Sequence, residues 1–389
     1  MQTSLFTYGF RPFFLGAGLA ALLLVPAWAA SFTLGWPLAT SWPPMWWHAH
    51  EMLFGFVCAA IAGFLLTSVP SWTGQKGFAG RPLVAMTALW LLGRVLVGSS
   101  AFWPFGLVAA VDLAFLPALG ALIGWPLVRE RNRNTPLLLV LFLLWSCNAA
   151  FHVGLWRDDA ALARQALLAG INLALILVTV IGGRITPSFT ATALRQRGVD
   201  ATVRSRRAMT PVVVALMVAV AAIDLVRPGS ALAGAVALAA AAAHAARLAQ
   251  WQGHRTLRDP IVWILHAAYA WLPIGLALKS LALLAGVAAA AFWLHALTIG
   301  ALATMILGVM TRVSLGHTGR SLQLHRLTVL AYLLLSASVL VRVFGAAGSW
   351  LGYTTVIAAS AALWTAAFAS FLWVYAPILL APRVTGRSS

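Results

Sequence analysis

Nine histidines stand out in a chain of 389 residues with only eight acidic side chains. The densest local group is Trp46-Trp47-His48-Ala49-His50-Glu51-Met52. On a helix, side chains two apart point about 200° from each other, so the two imidazoles face opposite ways and each seeks its own partner. If the stretch is not helical, both can approach one ion. Imidazole is a ligand for first-row transition metals, and a neighbouring carboxylate such as Glu51 can orient a ligand or carry a proton. Other histidines fall in apolar runs: His152, His244, His266 and His295. His254, His317 and His325 fall in loops or at the ends of those runs.

The elements that must position these side chains are helices in a bilayer. The chain is 62% hydrophobic and 9% charged, whereas soluble domains carry roughly a quarter charged residues. No water-soluble fold of this length hides so much apolar surface, which makes this an all-α, polytopic integral membrane protein. Apolar windows of about 20 residues place spans near 13–34, 46–69, 83–99, 104–127, 136–156, 161–184, 209–226, 229–251, 260–284, 287–311, 325–345 and 350–376. The segment 35–47 is a candidate for lying along the interface. A single transmembrane domain over 1–389 is expected, because no loop is long enough for a second, soluble one. No internal repeat stands out.

With the N-terminus inside, 20 of the 26 Lys and Arg residues fall on the inner side and six on the other. The inner set includes Arg11, Lys76, Arg129, Arg184, Arg204, Arg206, Arg207, Arg247, Arg312, Arg320 and Arg387. The positive-inside rule therefore puts both termini in the cytoplasm. The same placement explains the net charge of +18 without nucleic acid, which is excluded as a partner. Cys58 and Cys147 both lie in apolar runs and form no metal-ribbon or haem-attachment motif. No P-loop lysine motif or dinucleotide glycine fingerprint is present.

This topology sorts the histidines by depth. His48, His50, His152 and His295 fall in an outer layer, and His244 and His266 in inner halves of their spans. Ionisable groups at such depth cost several kcal/mol unless paired, liganded or hydrated. Any one histidine has an ordinary explanation as a hydrogen-bonded interfacial group. Arg94 and Asp112, at similar depth in consecutive spans, are expected to form a buried ion pair. Asp224, near a helix end, is expected to reach water.

Several stretches together resemble the NnrS family, membrane proteins associated with bacterial responses to nitric oxide. They are Phe10-Arg11-Pro12-Phe13-Phe14, the run His48 to Gly55, Ala62 to Thr67, Ser71-Trp72-Thr73-Gly74, and Asn148 to His152. Further on come Gly183 to Thr190, His266 to Pro273, and the run from His295 through Arg312, His317 and Arg320. The resemblance implies a twelve-span protein of the bacterial inner membrane that binds haem, of the non-covalent b type, and copper. It implies action on nitric oxide as an oxidoreductase that reduces or otherwise consumes it and relieves nitrosative stress. Quinol or a redox partner protein would supply electrons. The alternative function is metal trafficking, or protection of iron centres, without catalysis. On this reading His48, His50, His152 and His295 are candidate metal ligands in the outer layer. His244, His266 and His317 are candidates for an inner site, Glu51 and after it Asp112 for proton transfer, and Arg184, Arg312 and Arg320 for haem propionates.

Overall fold

A computed structural model describes residues 4–199, 203, 206, 208–345 and 352–384. Arg204, Arg207 and Arg387, three of the cations assigned to the inner side, lie outside the described residues. The described chain is all-helical, with no strand, and twelve of its helices are long and apolar enough to cross a membrane. They are α1 (Phe10–Leu34), α2 (Pro44–Thr73), α3 (Arg81–Gly98), α4 (Phe105–Arg129), α5 (Leu137–Trp156) and α6 (Ala160–Gln196). Then come α7 (Met209–Val226), α8 (Ala231–Ala249), α9 (Pro260–Ala285), α10 (Ala288–His317), α11 (Arg326–Phe344) and α12 (Tyr353–Leu380). All twelve expected spans are present. The largest difference is at α6, which continues twelve residues past the expected end, because Gly183-Arg184 does not stop the helix. The segment before Pro44 is irregular, and the helix starts where a proline can occupy its first turn without losing a hydrogen bond.

Two compact units divide the chain. The first contains Met1–Gly170, Val313–Ser321 and Phe368–Ser389; the second contains Ile171–Arg312 and Leu322–Ala367. In the first, small residues let helices approach closely. A Cβ on Gly63 of α2 would lie 2.7 Å from the Phe14 ring of α1, so only glycine fits. Arg11, fully buried in α1, donates to the carbonyls of Leu379 and Ala381 at 2.7 and 2.6 Å. These are unsatisfied acceptors at the negative end of α12, so the guanidinium caps that helix. In the second unit, Gly308 of α10 plays a similar part against Leu265 of α9, at 2.9 Å for an added Cβ.

Three spans contain π-helical stretches: Glu51–Val57, Val178–Gly182 and Ala296–Ala303. Such stretches insert a residue into the helical register, shift the side chains that follow and loosen backbone carbonyls. Two of them form a local repeat that the bare sequence did not reveal. His50 is followed by Gly55 and Gly63, and His295 by Gly300 and Gly308, at identical spacing, with a π-helical stretch directly after each histidine. In α2 the indole of Trp90 donates to the Gly55 carbonyl at 3.1 Å, satisfying an acceptor that the widened turn exposes. Two glycines and a histidine are too sparse a signal to mark a repeat without the backbone.

Asp224 differs from expectation. It is buried in the second unit, where the Lys279 ammonium contacts both carboxylate oxygens at 2.5 Å and the Asn172 amide donates at 3.0 Å. A carboxylate with a cation one helix away has no need to reach water.

Candidate functional site

The α2 helix separates its two histidines as the two-residue spacing requires. The His48 ring stacks on Trp28, with centroids 4.3 Å apart and planes 21° apart. His50 points the other way and is fully buried. Directly after it the π-helical stretch begins, and Glu51, also fully buried, brings Oε1 to 3.1 Å from His50 Nδ1.

Neighbouring spans of the same unit complete the site. Asp112 comes from α4, Arg94 from α3, and Asn148 and His152 from one face of α5, four residues apart. Asp112 Oδ2 accepts from the Asn148 amide at 2.8 Å and from His152 Nε2 at 2.9 Å, and lies 3.2 Å from His50 Nε2. A carboxylate only accepts, so the histidine nitrogens facing it donate. Asn148 Oδ1 is a second acceptor for His50 Nε2 at 3.0 Å. Arg94 bridges the two carboxylates, donating to Glu51 Oε1 and Asp112 Oδ1, so the expected Arg94–Asp112 pair is present within a larger network. Phe54, Phe151 and Trp42 surround the His50 ring, each with its centroid 5.0 Å away, and separate the polar groups from lipid and water.

Two carboxylates face one guanidinium here, leaving one negative charge unmatched among buried groups. Burial of an uncompensated charge is expensive, so the site is built to receive one more positive charge. Acceptors on both sides of the His50 ring put that charge there, as a proton or as a metal ion sharing the imidazole. One nitrogen each from His50 and His152 and one oxygen of Asp112 all lie within 4.8 Å of one another, so small side-chain movements bring them onto one ion. Two imidazoles and a carboxylate suit copper(II) and other first-row divalent ions.

The remaining residues singled out in the sequence fall elsewhere. His48 stands outside the group of three ligand atoms. His295 directly precedes the π-helical stretch of α10, in the second unit. His317 is exposed, 5.7 Å from the Phe10 ring in the first unit, to which Arg320 also belongs. Arg184 is exposed, and Arg312 lies over the Phe189 ring at 3.7 Å.

His244 and His266 are buried on adjoining helices of the second unit but do not share an acceptor. His244 Nδ1 is 2.9 Å from the Tyr269 hydroxyl, and His266 Nε2 is 2.8 Å from Thr190 Oγ1. The Nδ1 edge of His266 packs on Gly253, where an added Cβ would lie at 2.6 Å. Arg247, 2% exposed, shares Tyr269 with His244, donating to Tyr269 Oη at 3.0 Å, to the Thr179 carbonyl at 2.9 Å and to Thr210 Oγ1 at 3.0 Å.

Sequence reasoning gave Arg94 only the part of an ion pair, gave Asp112 that part and a place beside Glu51 in proton transfer, and gave Asn148, Arg247 and Tyr269 none. A signal existed for Asn148, since an amide four residues before an in-span histidine shares its face. For Arg247 the positive-inside count hid a fully buried cation among loop arginines.

Together, fold and site define a class: a polytopic helical membrane protein that buries a metal-competent cluster of imidazoles and carboxylates in its first compact unit. The family model described as NnrS protein matches residues 4–383, and the chain belongs to the NnrS family. Membership links it to the response to nitric oxide. No curated protein matches the sequence.

Proposed function

We propose that the chain binds copper and haem within the bacterial inner membrane, with both termini cytoplasmic, and acts on nitric oxide as an oxidoreductase. The observation that carries this reading is the buried set His50, Asp112 and His152, with its ligand atoms within 4.8 Å and one negative charge unmatched. These three residues would hold the copper, which when bound would supply a one-electron couple. Asn148 and Arg94 keep Asp112 in place from the other side. Glu51 is the proton carrier: Oε1 is held by Arg94 and His50, while Oε2 is buried without a hydrogen-bond partner.

A haem iron needs an imidazole whose other nitrogen is fixed. His244 meets that requirement, with Nδ1 on Tyr269 and Nε2 buried and without a partner. Arg184 and Arg312, in the same unit, are the cations proposed for its propionates. Nitric oxide is small and apolar and reaches buried metal through lipid; a quinol or a redox partner protein supplies electrons.

The test is an optical spectrum of the detergent-purified protein, reduced and then exposed to nitric oxide, with copper and iron quantified alongside. A Soret band that shifts on nitric oxide, and copper that falls to background in both His50→Ala and His152→Ala, is the expected result. Full copper retention in both variants overturns the site. A colourless but metal-replete protein instead indicates metal trafficking or protection of iron centres.

A further inference from the structure

The second unit contains a buried polar group of opposite character. Arg247 is 2% exposed, and among the described residues every hydrogen-bond acceptor of its guanidinium is neutral: a backbone carbonyl, a threonine hydroxyl and a tyrosine hydroxyl. Arg94, by comparison, has two carboxylates, and Lys279 has one. Arg247 sits in the last turn of α8, whose C-terminus supplies about half a negative charge. The rest of its charge is unmatched among the described residues.

The neighbours of Arg247 are also short of acceptors. Its own Nε, the indole Nε1 of fully buried Trp251 and His244 Nε2 are buried without hydrogen-bond partners. Two of these three are obligatory donors. The guanidinium carbon lies 5.5 Å from the Trp251 ring and 5.9 Å from that of Tyr269, so the loose donors cluster within about one helical turn.

The backbone is shaped to hold the cation there. The π-helical stretch Val178–Gly182 presents the Thr179 carbonyl to Arg247, and Gly183 lies against the guanidinium so closely that any Cβ would collide with it. A side chain that only packed would not need a glycine and a widened helical turn arranged around its charged end.

We propose that this group of the second unit, Arg247 with Trp251, binds a small monovalent anion such as nitrite, formate or chloride. Surplus donors and an unmatched positive charge, enclosed by aromatic rings, are what such an anion needs in place of its hydration shell. The anion site itself stands on Arg247 and Trp251 and does not rest on copper or haem binding.

The experiment is thermal unfolding and tryptophan fluorescence of the detergent-purified full chain, titrated with sodium nitrite, formate or chloride. Sodium gluconate, too large for the site, keeps ionic strength constant. Nitrite, formate and chloride are expected to raise the unfolding temperature by several degrees at saturation, and gluconate is not. Arg247→Gln is expected to abolish the shift. Trp251→Phe removes one donor of the site, so it should weaken the thermal shift and lose the anion-dependent fluorescence change, a readout that holds even if Arg247→Gln fails to fold. Equal shifts with gluconate, equal shifts in Arg247→Gln, or an unaltered fluorescence response in Trp251→Phe each overturn the proposal. The last two would mark adsorption to the basic loops of a protein with net charge +18.

Discussion

Each compact unit buries an aspartate held by a cation and an asparagine amide. In the first unit Asp112 is held by Arg94 and Asn148, and in the second Asp224 is held by Lys279 and Asn172. The second trio closes on itself: one carboxylate, one ammonium, and the Trp293 ring 4.8 Å from the Lys279 nitrogen. The first is left open, because Glu51 adds a second carboxylate and His50 and His152 bring imidazoles to it. Similar parts thus give a neutral clamp in one place and a site lacking one positive charge in the other. Buried charge marks function only where it is not internally balanced; a balanced pair mainly fixes how helices pack.

Breaking the charge pairs should give the largest effects. Arg94→Met and Lys279→Met each leave buried carboxylate uncompensated and are expected to lower stability by about 3–5 kcal/mol, read as thermal unfolding in detergent. The double variants separate the two sites. Adding Asp224→Asn to Lys279→Met should recover most of the loss, whereas adding Asp112→Asn to Arg94→Met should not, because Glu51 stays stranded. Equal recovery in both would show that the first site is balanced after all.

Gly183→Ala comes next. Its methyl displaces the Arg247 guanidinium, with an expected cost of about 1–3 kcal/mol and loss of the anion-dependent thermal shift. Asn148→Ala removes a donor to Asp112 and an acceptor for His50, for about 1–2 kcal/mol and a measurable fall in copper content. Thr190→Val is the mildest change. It removes only the hydroxyl facing His266, costs about 1 kcal/mol and should leave copper content unchanged.

Much of the architecture was legible in the sequence because a bilayer imposes a simple rule. Backbone polar groups must be satisfied within each segment, so every apolar run of sufficient length becomes a helix. The same reasoning identified His50, Glu51 and His152 as candidates, since in-span ionisable residues are rare enough to count individually. It also sent His48 and His50 to opposite faces from their spacing alone. It went astray at Asp224, whose partner Lys279 is 55 residues away, and at Arg247, where a count of loop cations says nothing about burial.

By itself, then, the sequence determined the helical class, the number of spans, the family and the short list of polar residues in apolar runs. The class, the spans and the short list follow from composition and from spacing along a single helix, and the family from the order of its motifs along the chain. Only the tertiary structure decided which of those residues meet. Asp112, Asn148 and His152 converge on His50 from α4 and α5, and Arg247 reaches Thr179 across a π-helical stretch. Charge balance is a property of neighbours in space, and the separations between these partners, from 40 to 98 residues, carry no periodic signal that a linear reading can detect.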